Sequence, residues 1–179
     1  LISRQRAILA TDFRYVEQAK IQAPLFEIVQ TKGEVANWLP GLVSSQNINS
    51  IGFEAEDIPY AAYMLLVDAI SKGPYFKLVP TQGVVVEIRA KKDSHEMKLI
   101  RQAVALADEA FAHLPKFLRP GLSEKAVAWE LEKFLREKGS EAMPFDIIIA
   151  SGPNAALPHH HPSERLIQAE EPIIVDLGA

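Results

Sequence analysis

Three consecutive histidines, His159-His160-His161, sit between Pro158 and Pro162, and a carboxylate, Asp176, ends the apolar run Pro172-Ile173-Ile174-Val175. Imidazole gains or loses a proton near neutral pH, and carboxylate oxygens suit hard and borderline cations, so these residue types point to general acid–base or metal chemistry. Proline fixes its own φ and biases the residue before it towards extended backbone, so the triplet is expected to be extended. Side chains then alternate, with His159 and His161 on one side and His160 on the other. At most two converge, which excludes a three-histidine zinc site. On the residues alone, two readings stay open for each feature. Asp176 is either a metal ligand or a turn-forming residue before Gly178. The histidines either contact substrate or form a chance cluster on an exposed loop.

Two apolar runs must position these groups. One ends in Ala150-Ser151-Gly152, the other in Asp176, and both read as buried strands that deliver imidazoles and a carboxylate towards one place. Two long helical patterns precede them. Ser94 is expected to cap a helix over about 94–114, with an apolar stripe of Met97, Ile100, Val104, Ala107, Phe111 and Leu114. Pro115 marks its end, and Arg119-Pro120-Gly121 reads as a turn. Ser123 caps a second helix through Lys138 with Gly139 just beyond it, and Val127, Leu131, Phe134 and Leu135 form its buried face.

Before Lys91 the rhythm differs. Short strands are expected at 6–10, 25–30, 49–53 and 75–79. Helices are expected from Thr11 or Asp12, as cap, to Lys20, then at 34–39 (stopped by Pro40-Gly41), 58–70 and 84–90. On the third of these, Ala62, Leu65, Leu66 and Ala69 share a face. Strands alternating with helices argue an α/β layer with a largely parallel sheet. The polar stretch Ala90-Lys91-Lys92-Asp93-Ser94 is the linker, which gives domains at 1–92 and 93–179.

Composition narrows the function. The chain has 19 basic and 23 acidic residues and no cysteine, so thiolate sites, disulfides and thiol nucleophiles are excluded. Residues 93–179 carry 9 basic and 14 acidic side chains, and no basic patch fits a nucleic acid. No run of about 18 apolar residues fits a membrane span, and no signal peptide is visible, so a cytoplasmic protein with no membrane partner is expected. There is no GxGxxG, no P-loop and no nucleophile elbow at Ser151-Gly152. His95 and His113 read as solvated or capping residues, Trp38 and Trp129 as packing residues, and Arg14 as a surface residue.

At this point the residues resemble a known family. The run FDIIIASGPNAALPH at 145–159 is similar to the segment leading to the active-site histidine of the pita-bread metallopeptidases. Pro172-Ile173-Ile174-Val175-Asp176-Leu177-Gly178-Ala179 resembles the strand carrying their first metal-binding Asp. Residues 87–93, 117–124 and 51–54 resemble the domain junction, the interhelical turn and an N-terminal strand of the Xaa-Pro aminopeptidase and prolidase group. The resemblance implies a creatinase-like α/β N-terminal domain followed by the first part of an α+β pita-bread catalytic domain. It implies a dinuclear hydrolase with two divalent ions (Mn, Co or Zn), a peptide substrate with proline at its second position, and a homodimer. Asp176 would be a metal ligand, and His159 would contact the substrate and the tetrahedral intermediate. The family's second Asp, its metal-binding His and its two Glu have no counterpart in these residues. The chain is therefore expected to be an internal piece of a longer peptidase, inactive by itself. The alternatives are a non-catalytic peptide- or protein-binding relative, or a metal-free creatinase-like hydrolase.

Overall fold

A computed structural model describes residues 1–73 and 76–179 and divides the chain into two compact units, Leu1–Ala90 and Lys91–Ala179. In the first, strand β1 (Ile8–Thr11), helix α1 (Val16–Gln22) and strand β2 (Glu27–Gln30) form one βαβ turn, with β1 and β2 parallel and Ile8 opposite Glu27. Helix α2 (Val35–Ser45) leads to a second, formed by strand β3 (Ser50–Glu54), helix α3 (Tyr60–Lys72) and strand β4 (Lys77–Thr81), again parallel, with Ile51 opposite Leu78. A helical crossover returns the chain to the same end of the sheet, which makes each pair parallel. The strands form two separate parallel pairs. Val43, Leu66, Ile70 and Phe76 are the buried core, with Leu39, Ile48, Ile51 and Leu78 packed around them. Helix α4 (Val84–Ala90) follows as expected, β-branched residues included.

Several local expectations need correction. Asp12 does not cap α1: its carboxylate accepts from the Arg14 backbone N–H at 2.9 Å and pairs with the Arg14 guanidinium at 2.8 Å, and the helix starts at Val16 with no side-chain cap. Nor do Pro40 and Gly41 stop α2, which continues to Ser45. The missing proline N–H is a local loss. Continuing the helix buries Val43 completely against Leu66, Ile70 and Phe76, a gain of about 1.5–3 kcal/mol for such a side chain. On α3 the buried residues are Leu66 and Ile70, while Leu65 is exposed. The expected start of the fourth strand, Tyr75, lies outside the described residues.

The second unit opens with helix α5 (Ser94–His113), a short 3-10 turn at Leu114–Lys116, and helix α6 (Glu124–Glu137). Asp93, not Ser94, caps α5. Its Oδ1 accepts the His95 and Glu96 backbone N–H groups at 2.8 Å, and Glu96 Oε2 accepts the Asp93 N–H at 2.8 Å. Asp93 wins because a glutamate lies three residues on to complete the reciprocal box, whereas Ser94 has Met97 there. Ser123 caps α6, its Oγ accepting from Ala126 N–H, and Gly139 follows the C-cap with φ +107°. Strand β5 (Ile148–Ser151) and strand β6 (Ile173–Asp176) pair antiparallel. The core consists of Ala110, Leu114, Val127, Leu131, Leu135, Ile147, Ile149 and Ile167.

The α5 stripe is displaced from its expected position. Ile100, Val104 and Phe111 are exposed, and the helix packs through Leu106, Ala110 and Leu114. Fully buried Ala110 offers no side chain beyond Cβ, so a neighbouring element can come close there. His113 is not solvated but stacks on Phe134, ring centroids 4.4 Å apart. Trp129 is not a packing residue; it is 63% exposed. Among the described residues no helix is long and apolar enough to cross a membrane.

Candidate active site

The chemistry-bearing loop, residues 152–172, joins β5 to β6. It begins at Gly152, whose φ is +50°. A Cβ built there would lie 2.7 Å from Arg165 Nη2 and closer still to Glu171 Oε2, so glycine is required both by the backbone and by the side chains packed on it. The Gly152→Ala variant is therefore expected to lose about 2–4 kcal/mol of stability, by adding a steric shift to the left-handed strain. Thermal or urea unfolding checks this, and a change below 1 kcal/mol would show that the Arg165–Glu171 pair yields easily. That pair is bidentate, with both nitrogen–oxygen distances 2.6 Å, and Glu171 also accepts the Gln168 backbone N–H. The Arg165 hydrogen bond and then the Gln168 N–H hold the Glu171 carboxyl below its ordinary value.

The loop is not extended through the histidines. Pro158 and His159 form the centre of a turn closed by His160 N–H donating to the Leu157 carbonyl at 3.2 Å. Proline favours the second position of such a turn, which overrides the extended bias expected between two prolines. His159 lies exposed at the tip and His161 is exposed too, while His160 turns inward, its side chain 11% exposed. His161 lines an open cavity of about 680 Å³ with Trp129, Phe145 and Met143.

What receives His160 is a residue the sequence reading passed over. Glu124, the first residue of α6, has no exposed surface. Its Oε1 accepts Ser151 N–H at 2.8 Å, Ser151 Oγ at 2.8 Å and Asn154 Nδ2 at 3.0 Å. Its Oε2 accepts His160 Nε2 at 2.8 Å, Ser163 N–H at 3.0 Å and Ser163 Oγ at 2.6 Å. An ionised carboxylate only accepts, so His160 donates from Nε2. Burial pushes the Glu124 carboxyl up, but the hydrogen bonds from Ser163, Asn154, His160 and the Ser151 backbone outweigh it and hold the group well below the usual carboxylate range. The backbone adds a second tie. Glu124 and Lys125 N–H groups, otherwise unpaired at a helix start, donate to the carbonyls of Arg165 and Ser163.

Asp176 is exposed at the end of β6. The register sets Ser151 opposite Ile173 and Asp176 opposite Ile148, at the end of the strand pair away from the start of the loop. The register thus puts Asp176 one strand length from Gly152, where the loop begins, while His161 further along the loop lines a cavity with Phe145, Asp146 and Ile147, just before the Ile148 that faces Asp176. Along β6, Ile173 and Val175 face the core while Ile174 and Asp176 share the outer face. Among the described residues no three His, Asp or Glu side chains gather closely enough to hold a metal ion. A divalent ion needs more than one carboxylate, so these residues alone do not fit the two-metal group that the resemblance implies.

Comparison with known proteins bears on both units. Residues 1–91 match the creatinase/prolidase N-terminal domain, and residues 98–179 match metallopeptidase family M24. An uncharacterized peptidase, YqhT, of Bacillus subtilis is 39% identical over 179 residues, covering 100% of this chain and 50% of that protein. Among solved structures, an Xaa-Pro dipeptidase from Bacillus anthracis superposes with a TM-score of 0.89 at 41% identity, covering 99% of this chain and 49% of that one. An X-Pro aminopeptidase from Thermotoga maritima gives 0.86 at 32%, covering 99% and 50%. The chain thus spans about half the length of these relatives. The two matched segments follow one another in the order of the two units, and the chain belongs to metallopeptidase family M24, in the branch that carries a creatinase/prolidase N-terminal domain.

Proposed function

We propose that this chain is part of an Xaa-Pro peptidase that cleaves the bond between an N-terminal residue and proline, with His159 contacting substrate and Asp176 as one ligand of a two-metal centre. The observation that carries the reading is the placement of both residues within an M24 segment whose solved relatives include an Xaa-Pro dipeptidase and an X-Pro aminopeptidase. Exposure suits both roles. An imidazole at the tip of a turn is accessible to a peptide, and it can donate a hydrogen bond to a scissile carbonyl that gains negative charge. An exposed carboxylate on the outer face of β6 would be accessible to a metal ion whose remaining ligands come from elsewhere. Two divalent ions in such a centre would supply an acidified water and polarise the scissile carbonyl. The two residues do not need to touch, since one binds substrate and the other metal.

The test uses the 179-residue chain beside a form with the full length of its relatives, about twice as long. With Mn²⁺ and an Xaa-Pro dipeptide, the longer form is expected to turn over and the 179-residue chain to show negligible cleavage. Turnover by the short chain that disappears on Asp176→Ala would place a complete centre within these residues. A longer form that loads metal yet leaves Xaa-Pro bonds intact would overturn the peptidase reading.

A further inference from the structure

We infer that Glu124 and His160 are positioning residues for His159: the buried carboxylate pins the neighbouring imidazole inward, and that pin fixes the turn presenting His159. The argument starts from what does not hold the loop. From Pro153 to Pro162 no residue is buried, and Leu157 is 53% exposed, so packing supplies little order there. Glu124 supplies it instead. Its helix is anchored in the core by Val127, Leu131 and Leu135, none with exposed surface. Its carboxylate takes donors from four points along one stretch of chain: Ser151 at the start, Asn154, His160 and Ser163 at the end.

His160 is the only one of these next to the turn tip. With its ring held at 2.8 Å from Glu124 Oε2 and its N–H closing the turn on Leu157, little freedom is left for the residue between them and Pro158. His159 is thereby held facing outward. The triplet divides its work: the middle imidazole is structural, and it sets the direction of the first. Its use in catalysis rests on the peptidase reading above; the anchoring itself does not.

A pair of substitutions separates a hydrogen-bond pin from simple ring packing. His160→Gln keeps a donor near the position of Nε2, whereas His160→Phe keeps the ring and loses the donor. Amide hydrogen exchange on the 179-residue chain is the readout, at Asn154, Ala155, Leu157, His159, His160 and His161. His160→Phe is expected to speed exchange there by at least ~10-fold, the factor fitting the loss of one hydrogen bond to a charged group, with α6 and β5 unchanged. His160→Gln is expected to stay within ~3-fold of the parent chain by the same reasoning. Equal behaviour of the two variants, or no change with phenylalanine, would overturn the inference. If His160→Phe loses protection in α6 and β5 as well, Ser163→Ala replaces it. That change removes one hydroxyl donor from Oε2, and faster exchange confined to 157–165 is the supporting result; none, or uniform loss, counts against. In the full-length form, His160→Phe should lower kcat on Xaa-Pro substrate with little change in KM, and His160→Gln should restore it. If the parent form does not cleave such a substrate, the peptidase reading falls while the exchange result stands.

Discussion

Glu124→Leu is expected to destabilise residues 91–179 by about 3–5 kcal/mol, the cost of removing one side of a buried charged network. Leucine is close to glutamate in volume, so the loss does not come from a cavity. It comes from the donors left behind: the Ser151 and Ser163 backbone N–H groups, the Asn154 amide and the His160 ring all face Glu124. The hydroxyls of Ser151 and Ser163 can rotate to other partners, but backbone N–H groups cannot. Exchange of the β5 and α6 amides reads the stability of this unit directly, and a loss below 1 kcal/mol would show that water satisfies the donors. The pH dependence has a definite sign. The folded carboxyl titrates below its ordinary value of 4.5, so the unfolded chain takes up the proton first as pH falls. The contribution of Glu124 is therefore complete above about pH 4.5 and is lost progressively below it, down through the folded value. The stability difference between the parent chain and Glu124→Leu should be flat at neutral pH and shrink in acid; a difference that grows in acid would contradict the depressed value.

Why Glu124 went unread in the sequence is itself physical. An acidic residue in the first turn of a helix is already explained by the helix dipole, and Ser123 beside it is already explained as a cap. Local rules consumed both residues and left nothing over. The partners of Glu124 lie 27 to 39 residues away, and Ser, Asn and His in a polar loop carry no signal of shared direction. By contrast, the ends of α6 and its buried face were legible, because Ser123, Gly139 and the spacing of Val127, Leu131 and Leu135 act within one helix. The α5 stripe failed for the opposite reason. That helix has apolar residues on more than one side, and the choice of side is made by tertiary packing through Ala110. Pro40 shows the same hierarchy: a strong local stop gave way where continuing the helix buried Val43. The family resemblance reached the fold class and both units, since it rests on extended motifs rather than on propensity. The turn at Pro158-His159 was missed because two flanking prolines signal extension equally well.

In the full-length form, Asp176→Asn and His159→Gln should both suppress Xaa-Pro cleavage, and the two should fail differently. Asparagine keeps the size of Asp176 but removes its charge and one strong acceptor. Altering an outer partner of a metal ligand already costs ~10–100-fold in affinity or activity, so loss of a ligand carboxylate is expected to exceed ~100-fold in metal affinity. Turnover at saturating substrate should fall with metal occupancy and recover partly at high Mn²⁺ concentration. On the proposed roles, His159→Gln should leave metal binding intact. Glutamine still donates a hydrogen bond but cannot pass a proton on, so the expected loss is the general-acid contribution, ~10²–10⁴ in kcat with metal stoichiometry unchanged. Metal titration and turnover of the two variants therefore answer separate questions. If His159→Gln changed metal stoichiometry, the loop would be a ligand and not a substrate contact. If Asp176→Asn bound metal as tightly as the parent form, the exposed carboxylate of β6 would have only a turn-forming role, the reading that its place before Leu177-Gly178 leaves open.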